Sequence, residues 1–245
     1  MDSSNLISNS IFRNGGSLTW SSKILDTFHV FNSADIKPYF WPIIITAADK
    51  GFGKSTAFEY LAGKMPDEIC VEGDIMSLFA VAMYLREQLH DESILLMTYT
   101  EFANSPYSPW TVQVPNKSEA YAEIFARYLG INWFSKIRLC TAFRGISIDR
   151  SFVIVIIPNY FMYVENFERR RSAMLEGNGS AAFKEYVANT HITLSWSEFN
   201  KLNMELLTKM ESEAAGFKIV ENDDNSDYFA LTLDHALYVA RSYDK

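Results

Sequence analysis

The chain has 245 residues, of which 48% are hydrophobic and 21% are charged, a balance typical of folded globular proteins and unlike that of disordered ones. Its formal net charge of −8 argues against nucleic acid or an anionic membrane as a partner, because both attract basic surfaces. The same charge does not exclude an anionic nucleotide, which a few backbone N–H groups and one lysine can hold.

The cysteines and the N-terminal segment indicate an intracellular protein. Cys70 and Cys140 both lie in apolar segments, and two cysteines are too few for a disulfide framework or a zinc site. We therefore expect buried, reduced thiols. The N-terminal segment is polar and acidic, unlike a signal peptide. The longest apolar runs are shorter than the roughly 20 residues that cross a bilayer. These features predict a soluble, intracellular, cytoplasmic protein.

In chain order, a segment rich in Ser and Asn comes first, at 1–37, and we interpret it as a partly flexible extension with a short helix at 21–31. From residue 38 to residue 245, strand-like and helix-like patterns alternate, which indicates one domain with a parallel sheet between helices. Buried parallel strands read as unbroken apolar runs, and about five are predicted, at 42–47, 68–72, 93–99, 152–157 and 217–221. Helices are predicted at 54–61, 75–89, 119–129, 182–196 and 197–213, with a loop at 177–180 and an acidic turn at 222–227.

The segment 41–61 runs from an apolar strand through a glycine-rich loop into a helix. Its spacing follows the phosphate-binding pattern G-x-x-x-x-G-K-[ST], except that Ala48 replaces the first glycine. Backbone N–H groups at such a loop attract phosphate, Lys54 adds a positive charge, and the Ser55 hydroxyl suits Mg²⁺. The residues predicted to bind the nucleotide are Asp49, Lys50, Gly51, Phe52, Gly53, Lys54, Ser55 and Thr56, with Ser55 also as the metal ligand.

Three small residues decide whether this loop can close around phosphate. Gly51 and Gly53 stand where the backbone must approach phosphate closely or adopt a positive φ. Ala48 is the smallest replacement for the missing glycine, and it fits only if its φ is negative. A turn that merely caps the following helix is the alternative interpretation.

Glu72 ends the predicted strand 68–72, eighteen residues after Lys54. In a doubly wound sheet, ligands bind beyond the carboxyl ends of neighbouring strands. A carboxylate there would lie near the γ-phosphate, where it could accept a proton from an attacking hydroxyl or support Mg²⁺. Asp74 competes for this role, and an ordinary exposed acid is the other interpretation.

The loop, the helix and the strand that ends in Glu72 together resemble the deoxynucleoside kinase family, which includes the herpesvirus thymidine kinases. In that family the strand ends in a Glu-Pro pair whose glutamate is the general base. Here Gly73 replaces the proline, and the family's tryptophan falls on Ser77 or is displaced to Phe79. The resemblance implies a three-layer P-loop kinase fold, ATP and Mg²⁺ as cofactors, and Glu72 as the catalytic base.

The segment 167–177 carries three consecutive arginines and looks like the arginine-rich lid of the same family, which closes over the phosphates. Guanidinium groups suit that task because they stay charged and offer forked donors to phosphate oxygens. Successive helical residues point about 100° apart, so at most two of Arg169, Arg170 and Arg171 can face the nucleotide. We place the lid around 167–180 and predict Arg169 and Arg171 as catalytic residues, with a solvated basic helix face as the alternative.

The segment after the lid is also similar to the family, through the spacing of Tyr186 and His191 and a following Trp196. We expect these three side chains to pack the helix and to carry no chemistry.

The family's Asp-Arg pair, which follows its third strand, has no clear counterpart. Glu101 follows the predicted strand 93–99 but has no arginine after it. Asp149-Arg150 lies before the strand 152–157, at the wrong end of the sheet, and is better interpreted as an ion pair in a turn.

These features predict ATP-dependent phosphorylation of the 5′-hydroxyl of a deoxynucleoside, as in thymidine kinase. Lys54 and the loop backbone would hold the β- and γ-phosphates, Ser55 would ligate Mg²⁺, and Glu72 would take the hydroxyl proton. The predicted partner is a nucleoside or nucleotide substrate. The sequence is also compatible with a homodimer.

Two other functions remain as alternatives. A nucleoside monophosphate kinase of thymidylate type would need a further arginine near the acceptor phosphate, with Arg86 or Arg144 as candidates. A nucleotide-binding protein without catalysis is favoured by the departures from the family's motifs. A motor or switch NTPase is disfavoured because the chain has no guanine-reading N-K-x-D motif.

Overall fold

The fold is known from a computed structural model, which describes residues 41–66, 68–73, 82, 85, 89–90, 137–141, 148–179, 181–223 and 225–243. Several predictions lie outside these residues: the extension at 1–37, the strand at 93–99, the helix at 119–129, and the candidates Asp74, Ser77, Phe79, Arg86, Glu101 and Arg144.

Strands and helices alternate through the described residues. The strands are β1 (Ile43–Thr46), β2 (Ile69–Val71), β3 (Ile137–Thr141), β4 (Phe152–Pro158) and β5 (Gly216–Asn222). The helices are α1 (Lys54–Gly63), α2 (Tyr160–Glu176), α3 (Ala181–Thr190), α4 (Trp196–Glu213) and α5 (Ser226–Ser242). The five strands form one sheet in the order β2-β3-β1-β4-β5, and every neighbouring pair is parallel. The predicted α/β fold with a parallel sheet of about five strands is confirmed.

Four of the predicted strands agree with the structure to within one residue at each end, whereas β3 was not predicted. Arg138 interrupts the apolar run of β3, which hides the strand in the sequence. In the structure Arg138 is buried, and its Nε lies 3.1 Å from Oε2 of Glu68. A buried charge is tolerated in a strand when it is paired in this way.

The helix predictions are correct in part. Ala82, Leu85 and Leu89 are helical, in agreement with the helix predicted at 75–89. The predicted helix 182–196 is wrong over residues 191–195, because Ser195 begins α4 as its N-cap. The hydroxyl of Ser195 accepts from the backbone N–H of Glu198, whose carboxylate accepts from the backbone N–H of Ser195. Helix α5 was not predicted, and of α2 only the arginine-containing part was expected to be helical.

Alternating strand residues separate the two faces of the sheet. Ile154 and Ile156 of β4 pack with residues of α1 and α5 on one face. Val153 and Val155 pack against Met210 of α4 on the other. Successive strand residues point to opposite faces, so the sheet lies between two helical layers.

Because all five strands are parallel, their carboxyl ends meet along one border of the sheet, which we call the carboxyl edge. The β1–α1 loop, Glu72, Thr141, Asn159 and Asn222 lie there, each directly after or at the end of a different strand. The pair Asp149-Arg150 lies in a 3₁₀ turn, Ile148–Arg150, that precedes β4. That pair is therefore at the opposite border, as predicted.

Candidate functional site

The loop between β1 and α1 depends on two glycines. Gly51 has a φ of 78° and Gly53 a φ of 96°, both in the left-handed region that glycine tolerates best. A Cβ on Gly51 would lie 2.9 Å from Cδ2 of Phe167, and one on Gly53 would lie 2.5 Å from Nδ2 of Asn222. The predicted need for glycine at both positions is confirmed.

Ala48 meets the condition under which alanine can replace the first glycine. Among the described residues, His90 is the only non-glycine residue with a positive φ, so the φ of Ala48 is negative. Its side chain packs against a cluster of buried aromatic rings under the loop. The departure from the motif therefore introduces no backbone strain.

That cluster consists of Phe52, Tyr163, Phe167 and Phe199. The ring of Phe52 is fully buried, with centroid distances of 5.0 Å to Tyr163 and 5.2 Å to Phe199. Phe52 thus anchors the loop, and its buried side chain is not accessible to a ligand.

Polar groups of α1 and β2 meet at the start of the helix. Lys54 Nζ donates to the backbone oxygen of Asp49 at 2.8 Å, so the lysine side chain arches over the loop. Ser55 Oγ donates to Oε1 of Glu72 at 3.2 Å, and Glu72 is 9% exposed. The structure therefore brings the predicted metal ligand and the predicted carboxylate together.

These two oxygen groups have the chemistry that Mg²⁺ prefers, and magnesium usually takes one or two protein ligands together with phosphate oxygens. Within the described part of the chain, no group of three or more His, Cys, Asp or Glu side chains could hold a metal by itself. The donor set fits a magnesium ion that arrives with a nucleotide.

Thr141, at the end of β3, holds the turn after Glu72. Gly73 N–H donates to Oγ1 of Thr141 at 2.7 Å in the interior, and a Cβ on Gly73 would lie 2.4 Å from the backbone oxygen of Thr141. A proline at this position would have neither the N–H nor the space. This explains why glycine stands at the position where deoxynucleoside kinases have proline. Thr141 was not predicted as a site residue because β3 was not predicted.

Helix α1 begins without a side-chain cap. Its N-cap residue is Gly53, and its first turn contains no acidic residue. In contrast, α2, α4 and α5 are capped by the side chains of Asn159, Ser195 and Asn225. The positive end of the α1 dipole is thus not neutralised by a cap, which suits an anionic ligand.

Asn222, at the end of β5, was also missed by sequence reasoning. Its Nδ2 donates to the backbone oxygen of Phe52 at 3.4 Å. Its own backbone oxygen accepts from the N–H of Asn159, at 2.9 Å. Asn222 thereby ties the loop to β4 and β5, although its only signal in the sequence is its place after an apolar run.

Helix α2 carries the three arginines past the loop. Phe167 contacts the loop at Gly51, and Arg171 lies one turn later on the same helix face. Nη1 of Arg171 is 3.8 Å from Oε2 of Glu168, while its Nε is buried without a hydrogen-bond partner. Arg169 is exposed, about 200° around the helix from Phe167, and donates to a side chain of its own helix. Of the two predicted arginines, Arg171 lies on the face of α2 that carries Phe167 to the loop, and Arg169 does not.

Lys50 reaches from the loop to α3. Its Nζ is 3.4 Å from the hydroxyl oxygen of Tyr186 and 5.6 Å from the centroid of that ring. The ring of His191 lies 5.8 Å from Tyr186 and 6.1 Å from Phe167. Tyr186 and His191 therefore face the loop, beyond the packing role predicted for them, whereas Trp196 is largely exposed against Tyr160.

Burial lowers the pKa of His191, and positive charges lower it further. The cations responsible are Lys50, Arg170 and Arg171, while Asp49 acts in the opposite direction. We call this group, formed by Lys50, Arg170, Arg171, Tyr186 and His191, the Lys50 corner.

The cysteines have no place in this site. Cys70 and Cys140 are free and buried, as predicted. Burial, with a smaller contribution from Glu68, raises the pKa of the Cys70 thiol to about 12. Cys70 is therefore a neutral core residue.

A scan against protein-family models, a search of curated proteins and a search of solved structures each found no match. Among the described helices, none is both long enough and apolar enough for a bilayer crossing.

Proposed function

We propose that the protein is a kinase of the nucleoside and nucleotide class, which binds ATP with Mg²⁺ at the β1–α1 loop. It transfers the γ-phosphate either to the 5′-hydroxyl of a deoxynucleoside, as the resemblance implies, or to a nucleoside monophosphate. The observation that carries the proposal is the contact of Ser55 with Glu72 at the uncapped start of α1.

The loop supports the nucleotide part of this proposal. Two left-handed glycines shape it, and Lys54 arches over it. Phosphate oxygens would bind the backbone N–H groups of the loop and the Lys54 ammonium, which are donors that need no basic surface elsewhere. This arrangement suits an anionic ligand even on a chain of net charge −8.

Ser55 and Glu72 would hold Mg²⁺, which neutralises charge on the β- and γ-phosphates when it is bound. The hydrogen bond between them favours this role for Glu72 over that of general base. Thr141 supports the role, because it fixes the backbone directly after Glu72.

Arg171 would stabilise the charge of the phosphoryl group in transfer. It lies one turn from Phe167, which contacts Gly51 of the loop, and its buried Nε has no partner. The guanidinium would stabilise the transition state, in which negative charge on the phosphoryl group develops. A buried N–H donor that has no partner beforehand would gain a hydrogen bond to a phosphate oxygen.

Incubation with labelled ATP and Mg²⁺ against a panel of nucleosides and nucleoside monophosphates tests the proposal. We expect transfer to one acceptor by the parent chain, and its loss in Lys54→Ala and Glu72→Gln. Lys64→Ala is the matched control, because Lys64 follows α1 at its far end and pairs with Asp234. Transfer that survives in Lys54→Ala would refute the assignment, and nucleotide binding without any transfer would leave only the non-catalytic alternative.

A further inference from the structure

Positive charge is concentrated at the Lys50 corner beyond what the loop requires. Arg170 and Arg171 come from α2, His191 follows α3, and Lys50 belongs to the loop itself. Within the described part of the chain, neither Lys50 nor Arg170 has an acidic group within 4 Å, and Arg171 has Glu168 at 3.8 Å. Asp49 and Glu168 offset only part of the charge of Lys50, Arg170 and Arg171, so the corner is positive overall and complementary to an anion.

The donor nucleotide does not account for this charge. Bound Mg²⁺, Lys54, the loop N–H groups and the α1 dipole already compensate its triphosphate. A nucleoside acceptor is neutral and would leave Lys50 and Arg170 uncompensated. An acceptor that carries a phosphate would supply the missing negative charge.

The environment of Glu72 points in the same direction. Transfer to a 5′-hydroxyl requires a base for the hydroxyl proton, and Glu72 is engaged by Ser55. A phosphate monoester has a second pKa near 6, so its terminal oxygens are already deprotonated nucleophiles at neutral pH. Transfer to a monophosphate therefore needs no general base.

We propose that the Lys50 corner binds the phosphate of the acceptor, and that the acceptor is a nucleoside 5′-monophosphate. This inference rests on the proposed function. A phosphate oxygen of the acceptor attacks the γ-phosphorus of ATP, and the bond from that phosphorus to the β,γ-bridging oxygen breaks. The products are ADP and a nucleoside diphosphate. Lys50 leaves Tyr186 and binds the acceptor phosphate, with Arg170 and His191 beside it.

Equilibrium binding tests the assignment without turnover. The full chain, saturated with Mg²⁺ and β,γ-imido-ATP, is titrated with the common nucleoside 5′-monophosphates and with the matching nucleosides. In the parent chain one monophosphate binds at least about tenfold more tightly than its nucleoside. In Lys50→Met this preference falls by about tenfold, the typical worth of a charge-assisted hydrogen bond, while the affinity for the nucleoside is kept. Lys201→Met, which removes the same charge from an exposed site on α4, changes neither affinity.

Three results would overturn the inference. One is a parent chain that binds no monophosphate more tightly than its nucleoside. A second is a preference that persists in Lys50→Met. A third is a Lys50→Met chain that loses affinity for β,γ-imido-ATP and keeps its affinity for ADP and for the monophosphate, because Lys50 would then hold the γ-phosphate of the donor. The proposed function has a separate readout, since it fails if the parent chain does not bind β,γ-imido-ATP.

Discussion

Gly53→Ala tests the left-handed backbone conformation of the β1–α1 loop. An alanine at a φ of 96° costs about 1–2 kcal/mol in backbone strain. Its Cβ would also lie 2.5 Å from Nδ2 of Asn222, and moving that amide away sacrifices its hydrogen bond to Phe52, worth about 1 kcal/mol. We expect Gly53→Ala to lower the free energy of unfolding by about 2–3 kcal/mol.

A matched control and a second background separate the two contributions. Gly63 is the last residue of α1, and a Cβ there would meet nothing within 4 Å. Gly63→Ala should therefore stabilise the protein by about 0.5–1 kcal/mol, the opposite sign. In an Asn222→Ala background the amide that would clash with the new Cβ is absent. Gly53→Ala should then cost only the backbone strain of alanine at a positive φ, about 1–2 kcal/mol.

Urea denaturation of the four variants and the parent, followed by circular dichroism, gives these free energies. Gly53→Ala should also weaken binding of β,γ-imido-ATP, whereas Gly63→Ala should not. Equal changes in stability from the two glycine substitutions would contradict the positive φ at Gly53, and an equal cost of Gly53→Ala with and without Asn222 would contradict the close approach of that amide.

Three further predictions follow from single contacts. Thr141→Val leaves the N–H of Gly73 without an acceptor and should cost about 1–3 kcal/mol in urea unfolding and weaken Mg²⁺-dependent ATP binding. Thr141→Ser should retain that binding, and equal binding losses in the two variants would contradict the role of the hydroxyl. Arg171→Gln should slow phosphoryl transfer by about 10²-fold while Arg169→Gln leaves the rate near that of the parent, and equal losses would contradict the orientation of α2. The stability that the neutral Cys70 thiol contributes should be complete below pH 9.0 and decline as the pH rises towards 12, because only the unfolded chain then ionises. Between pH 8 and 10.5 the free energy of unfolding, measured with denaturant, should fall by about 2 kcal/mol more for the parent than for Cys70→Ala. Parallel pH profiles of the two proteins would contradict the raised pKa of Cys70.

Much of the fold of this protein could be predicted from local sequence patterns. Unbroken apolar runs located four strands, and the glycine spacing located the loop and its two left-handed residues. These features are readable because strand burial and a positive φ are demands that a short segment makes on its own residues. The strand β3 escaped prediction because its buried Arg138 is paired with Glu68, a partner far away in the chain.

The composition of the site was decided by the tertiary structure. Gly73 and Thr141 are 68 residues apart, and Asn222 and Phe52 are 170 residues apart, yet each pair is joined by a hydrogen bond at the carboxyl edge. Likewise, three adjacent arginines are equivalent in the sequence, and only the packing of Phe167 under the loop distinguishes Arg171 from Arg169.

Apolar runs and glycine spacing are sufficient to predict that this chain forms a parallel α/β sheet with a glycine-rich loop that has the pattern of a phosphate site. The strand order β2-β3-β1-β4-β5 then decided which side chains meet at that loop: Glu72 at Ser55, Thr141 behind Glu72, and Asn222 at Phe52. The physical reason is that backbone conformation follows from short-range sterics and burial, whereas side-chain partners depend on which strands become neighbours.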